Sequence, residues 1–235
     1  MQYDYAIEYN GVSSKSIGIE VVKRPNIPAA KRRYDTVTIP GRDGNLHRYD
    51  GAVEDIEIEI EFNFMAAPHE WNEKYRTAKV WLYDETEKRL KLGDHATFFY
   101  KVKMVEIGEA ERVNWQIGKF SAVFICEGYQ YLKDGIIKVD YTDILYNPYD
   151  VSKPIYAITG EGVCYLKVNG AQMKANVGQN LAIDTDLMIA YRTDRTIMNT
   201  SVDGAYSDLW LKKGNNKIEI TKGFTLKVTP NWRSI

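Results

Sequence analysis

The clearest pattern of apolar and polar positions lies between Ile56 and Phe64, which reads IEIEIEFNF. Ile56, Ile58, Ile60, Phe62 and Phe64 alternate with Glu57, Glu59, Glu61 and Asn63. A period of two marks a half-buried antiparallel strand. Only one segment carries a helical period. After Pro68, the residues Trp71, Tyr75, Ala78 and Leu82 fall at spacings of four, three and four, on one helix face. Pro68 suits a first helical turn, and Glu70 and Lys74 stand at i,i+4 as an expected surface ion pair. Further strands are expected at Tyr3–Tyr9, Ser16–Val22, Tyr34–Ile39, Leu46–Tyr49, Leu90–Leu92, Thr97–Ile107 and Gly118–Cys126, the last of them central. Asn10-Gly11, Asp50-Gly51 and Gly93-Asp94 read as turns, and Lys23 to Arg33, with Pro25 and Pro28, as a loop or irregular edge. Pro40-Gly41-Arg42-Asp43-Gly44 is a dense breaker cluster between two strands, so Pro40 to Gly51 is expected to project as an arm.

Beyond this region the rhythm changes. Asp134-Gly135, Asn147-Pro148 and Lys153-Pro154 punctuate a join. Short strands then follow at Ile155–Thr159, Val163–Val168, Gln172–Val177, Asn180–Asp184, Met188–Arg192, Ile197–Thr200, Ser207–Leu211, Asn216–Ile220 and Phe224–Thr229. Even spacing with turn residues between strands argues for a sandwich or jelly roll. The expected organisation is mainly β: a domain with one helix over residues 1–133, a join over 134–153, and a β-sandwich over 154–235.

Composition narrows the chemistry. The chain has 235 residues, with 31 Lys and Arg against 32 Asp and Glu. It lacks the basic excess of a counterion-release nucleic-acid binder, so sequence-specific nucleic-acid binding is not expected. Three His, at 47, 69 and 95, show no metal-ligand spacing. Cys126 and Cys164 are expected to be buried free thiols. No phosphate loop, dinucleotide fingerprint or nucleophile elbow is present, so no catalytic residue, cofactor or metal is assigned. Asp43-Gly44-Asn45 matches a calcium loop only weakly, because His47 falls where an oxygen ligand belongs. The start, MQYDYAIEYN, lacks the basic and apolar regions of a signal peptide, and no apolar run approaches the roughly 20 residues of a membrane span. Synthesis in a cytoplasm, without membrane insertion, is the expectation.

Three clusters remain. The row Glu54, Asp55, Glu57, Glu59, Glu61 reads as the polar face of an amphipathic strand, one that lines a channel or meets a basic neighbour. The group Lys23, Arg24, Lys31, Arg32, Arg33 reads as a solvated edge, or as the partner of such an acidic strand in a neighbouring subunit. The aromatics Tyr156, Tyr165, Tyr191, Tyr206, Trp210 and Trp232 sit in the second half, as core, interface or sugar-stacking residues.

Several stretches, taken in order, resemble the distal tail protein (Dit) family of siphophages. These are EYNGVSSKSIGIEVV, RPNIPAAKRRYDTVTIPGRDGNLHRYDGAVEDIEIEIEF, HEWNEKYRTAKVWLY, LKLGDHATFFYKVKM, GKFSAVFICEGYQY, PIYAITGEGVCYLKVNG, LAIDTDLMIAY, LWLKKGNNKIEI and VTPNWRSI. The resemblance spans essentially the whole chain. It implies an N-terminal β domain with one helix and an extended hairpin, and a C-terminal galectin-like sandwich. It further implies a non-enzymatic homohexameric ring at the virion tail tip, in a phage or a phage-derived particle. Such a ring would join the tail tube to the adsorption apparatus and leave a channel for DNA. Its partners would be copies of itself, the tube protein, a tail-associated lysin or fibre protein, and a receptor-binding protein. Neither domain has a long insertion, so the chain looks like the short form. The expected interface residues are Pro40, Gly41, Arg42, Asp43, Gly44 and Tyr49, with Arg42 and Asp43 pairing across it. The expected channel-lining residues are Glu57, Glu59 and Glu61. The alternative is a carbohydrate-binding adhesion module for cell-wall glycans.

Overall fold

The alternating segment forms the strand Ile56–Met65 in a computed structural model that describes residues 5–235. Ile58, Ile60 and Phe62 are completely buried, while Glu57 and Glu59 face out. The strand pairs along its length with Ile117–Leu132 and on its other side with the short Ile19–Val21. The sheet order is Val12–Ser13, Ile7–Tyr9, Arg89–Leu92, Phe98–Ile107, Ile117–Leu132, Ile56–Met65, Ile19–Val21. The pairings of Ile7–Tyr9 with Val12–Ser13 and Arg89–Leu92, of Arg89–Leu92 with Phe98–Ile107, and of Ile56–Met65 with Ile117–Leu132 and Ile19–Val21 are antiparallel, which is why one face of the sheet can be apolar and the other wet.

The helix Trp71–Leu82 covers the apolar face. It buries Trp71, Ala78, Trp81 and Leu82, and Tyr75 packs half-buried against the same core. Phe64 meets the Trp71 ring at 5.2 Å, and Phe62 meets Trp81 edge-on at 6.1 Å. The Trp81 indole N–H donates to the Tyr9 carbonyl at 3.2 Å, which gives a buried donor its partner. Pro68 precedes the helix by three residues. The expected Glu70–Lys74 pair does not form, because the Lys74 ammonium turns away to lie over Gly18. Within Ser16–Val22 only Ile19–Val21 is a strand. Ser14–Ile17 coils into a 3-10 turn that ends at Gly18 in the left-handed region. Of the strand expected at Tyr3–Tyr9, Ile7–Tyr9 is observed, and Tyr3 and Asp4 lie outside the described residues.

The strands Arg32–Thr38 and Asn45–Val53 pair only with each other, as a two-stranded hairpin outside that sheet. The second strand runs through Asp50-Gly51, where a turn was expected. Gly51 has φ 88°, and the ladder shifts register between Arg32 and Tyr34, so the irregularity is absorbed as a bulge.

The chain divides into two units, one reaching Gln130 and including Ile235, the other Tyr131–Ser234. In the second unit, four of the expected short strands are two long ones, Ile155–Val168 and Ala171–Asp184, paired throughout. The first half of Ile155–Val168 also pairs with Thr225–Thr229, and its last three residues pair with Gly214–Ile220. Gly160 and Gly162, at φ 153° and 98°, lie in the gap between these pairings. They mark a bend in a continuous strand, where the sequence suggested two separate ones. The join is itself sheet: Val139–Asp140 pairs with Thr225–Thr229, and Ile144–Asn147 with Gly214–Ile220. The strands expected at Ser207–Leu211 and Ile197–Thr200 are the 3-10 turns Tyr206–Leu209 and Asn199–Ser201. A core of Tyr156, Ile158, Leu166, Met173, Ile183 and Leu226 fills this unit.

Candidate functional site

The hairpin is the feature most exposed to a partner. Every residue from 31 to 51 is exposed. Its turn is closed by the Arg42 N–H donating to the Ile39 carbonyl at 3.2 Å, and Gly41 and Gly44 take φ of 80° and 76° that side chains resist. Strand alternation sends Tyr34, Thr36 and Thr38 to one face, with Tyr49, His47 and Asn45 opposite them. Asp35 and Val37 take the other face, opposite Arg48 and Leu46. The Tyr34 and Tyr49 rings stand 5.7 Å apart, and the Arg32 guanidinium lies over Tyr49 at 5.4 Å. Arg48 donates to Asp35 at 3.2 Å, and the Thr38 hydroxyl to Asn45 at 3.1 Å. Arg33 binds Asp50, and this hydrogen bond holds the Asp50 carboxyl below its ordinary range. Both faces still show apolar surface, with Tyr34 at 49%, Val37 at 46%, Leu46 at 44% and Tyr49 at 40% exposure. An isolated two-stranded hairpin is only marginally stable in water. Among the described residues, the side chains of Arg42 and Asp43 at its tip have no partner.

The expected channel-lining glutamates do not share one environment. Glu61 accepts Lys23 at 2.6 Å and Lys119 at 3.0 Å, and these two ammonium groups hold its carboxyl below the ordinary value. Glu57 and Glu59 are exposed and make no ion pair among the described residues. Lys23 therefore meets the acidic strand of its own chain. Much of its cluster is likewise engaged internally, Arg24 with Asp94 at 3.7 Å and Arg33 with Asp50. Asp55, at the start of the row, is bound by Lys103 at 2.7 Å.

The second-unit aromatics separate by burial. Tyr156 is core, its hydroxyl donating to the Leu209 carbonyl at 2.7 Å. Tyr191, Tyr206, Trp210 and Trp232 are half-buried, and Tyr165 alone of the six is exposed. Tyr146, at 62% exposure, was not singled out in the sequence, where nothing distinguishes an outward tyrosine from an inward one. Cys126 and Cys164 are buried and unpaired, and burial pushes the Cys126 thiol up to about 12. Among the described residues, His, Cys, Asp and Glu form no group suited to a metal ion, and no helix is long and apolar enough to cross a membrane.

By sequence, no family model and no curated protein matches the chain. By structure, it superposes on the crystal structure of SPP1 Dit, the gp 19.1 protein, with a TM-score of 0.66. The match covers 98% of this chain and 99% of that one, at 13% identity. This is the Dit fold. SPP1 Dit is described as a paradigm of the hub adsorption apparatus in phages that infect Gram-positive bacteria. The Dit fold is shared from end to end although about seven residues in eight differ.

Proposed function

We propose that this protein is a structural, non-catalytic hub of a phage tail tip. Six copies form a ring through their first units and join the tail tube to the adsorption apparatus, with a central passage for DNA. The galectin-like second units face outward, toward a lysin or fibre protein and a receptor-binding protein. The observation that carries this reading is the whole-length likeness to a hub protein. The hairpin adds physical support. Its residues Pro40, Gly41, Arg42, Asp43, Gly44 and Tyr49 are all exposed, and its two bare faces need cover that a neighbouring copy would supply. Arg42 and Asp43 would then fix register across the contact. Glu57 and Glu59 keep the unpaired charge that repels DNA from a channel wall, whereas Glu61 is already neutralised.

The test has two parts. Light scattering on the purified chain at high concentration should give the mass of six copies, and a strict monomer counts against the ring. The double variant Glu57→Lys, Glu59→Lys should assemble normally yet block genome delivery. Unchanged infectivity removes these residues from the channel wall.

A further inference from the structure

Six residues of the chain, Asn10, Asp43, Asp50, Asp134, Asn169 and Asp203, are each an aspartate or asparagine followed by glycine. Such a pair can rearrange its own backbone. The glycine nitrogen has no Cβ beside it, so it can close on the side-chain carbonyl carbon of the residue before. The fold restrains five of the six. The Asn10 side chain donates to the Asp84 carbonyl and accepts the Arg89 N–H at 3.2 Å. Asn169 donates to Asn216 at 2.8 Å and accepts the Lys217 N–H at 3.0 Å. Asp50 is bound by Arg33 and by the Ala52 N–H at 2.9 Å, and these bonds keep it a carboxylate, the unreactive form. Asp134 opens a 3-10 turn whose Gly135 is buried against the Trp232 backbone. Asp203 is laddered opposite Lys174, and Gly204 stands against the Met173 backbone.

Asp43 differs. It and Gly44 are exposed at the hairpin tip, and no atom lies within 4 Å of where a Cβ on Gly44 would stand. Among the described residues neither the Asp43 carboxyl nor the Gly44 N–H makes a hydrogen bond or ion pair. A segment with so few contacts samples new backbone geometries at little cost. We propose that Asp43-Gly44 is a site of spontaneous aspartate isomerisation in the free subunit. The Gly44 nitrogen attacks Cγ of the protonated Asp43 carboxyl. The N–Cγ bond forms, the Cγ–OH bond breaks, and the Gly44 amide proton leaves with the hydroxyl as water. One water then opens the resulting cyclic imide. Opening at Cγ restores aspartate. Opening at the α-carbonyl breaks the original peptide bond and leaves Gly44 joined through Cγ, as isoaspartate. No oxidant or reductant takes part. The new link adds one carbon to the main chain inside the turn that sets Thr38 opposite Asn45, so the modified hairpin loses its register at the tip. This stands on the hairpin's geometry and does not depend on the hub reading.

Peptide mapping tests it on the full chain, incubated near neutral pH at a dilution where light scattering reads one copy. Electron-transfer fragmentation separates isoaspartate from aspartate, and heavy-oxygen water marks each isoaspartate that has passed through the imide. Labelled isoaspartate should build up at Asp43 at least about tenfold faster than at Asp50, Asp134 or Asp203. In urea the four sites should level, because only the fold separates them. Asp43→Glu keeps the charge but disfavours the imide by enlarging its ring, and should show no isomer at that position at an unchanged melting temperature. Equal rates at the four sites in the folded chain, or an Asp43 excess that persists undiminished in urea, overturns the proposal.

Discussion

Replacing Val37 and Leu46 by threonine should disassemble the proposed ring without unfolding the subunit. The two side chains face each other across the hairpin, and each is a little under half exposed. Burying a Val or Leu side chain completely contributes about 1.5–3 kcal/mol, so covering the exposed half contributes about 1 kcal/mol each. Threonine keeps β propensity but not the apolar surface, and its hydroxyl would enter the contact without an assigned partner. The double variant should therefore weaken each subunit contact by about 2 kcal/mol, roughly thirtyfold in affinity. The free subunit should lose little, because surface substitutions usually change stability by about 0.5 kcal/mol or less. Sedimentation velocity over a dilution series reads the first quantity, and urea unfolding reads the second. An unchanged dilution midpoint refutes the hairpin as an interface. A stability loss well above 1 kcal/mol shows instead that the pair packs within its own chain.

Two further outcomes follow from the first unit. Glu61→Gln should destabilise the protein near neutral pH and much less in acid. The folded carboxyl titrates below its ordinary value of 4.5, so its contribution is present above that value and fades as pH falls through the depressed one. Urea unfolding from pH 3 to 7 checks this, and a constant difference between variant and wild type contradicts it. Gly118→Ala should cost about 1–3 kcal/mol, since its Cβ would stand 2.3 Å from the Phe64 ring in a filled core. An unshifted urea midpoint would show that the ring moves aside freely.

What could be read along the chain was what local chemistry controls. The glutamate–isoleucine alternation identified the strand Ile56–Met65 and its buried face, because a period of two leaves one assignment of sides. The tryptophan and alanine spacing placed the helix, and the Pro40–Gly44 cluster placed the hairpin turn, whose backbone those residues favour. Breaker residues misled where pairing partners could absorb them. Gly160 and Gly162 bend one long strand, and Gly51 rides within a bulge, because fourteen paired positions in one case and a continued ladder in the other outweigh a local preference.

The candidate site was legible in part. That residues 40–51 are bare, and that 57 and 59 face outward, follows from turn chemistry and alternation. That Glu61 is clamped by Lys23 and Lys119 does not, since one lysine comes from the segment after an edge strand and the other from the neighbouring strand. Lys74 makes the same point. Helical spacing gave it Glu70 as a partner, yet the 3-10 turn left an opening over Gly18 that no periodicity announces. The sequence by itself determined the mainly β class, the one helix and the exposed turn, because these depend on residues close along the chain. The tertiary structure alone decided which charges are spent internally and which stay free for a partner, because ion pairs form between side chains that only folding brings within a few ångströms.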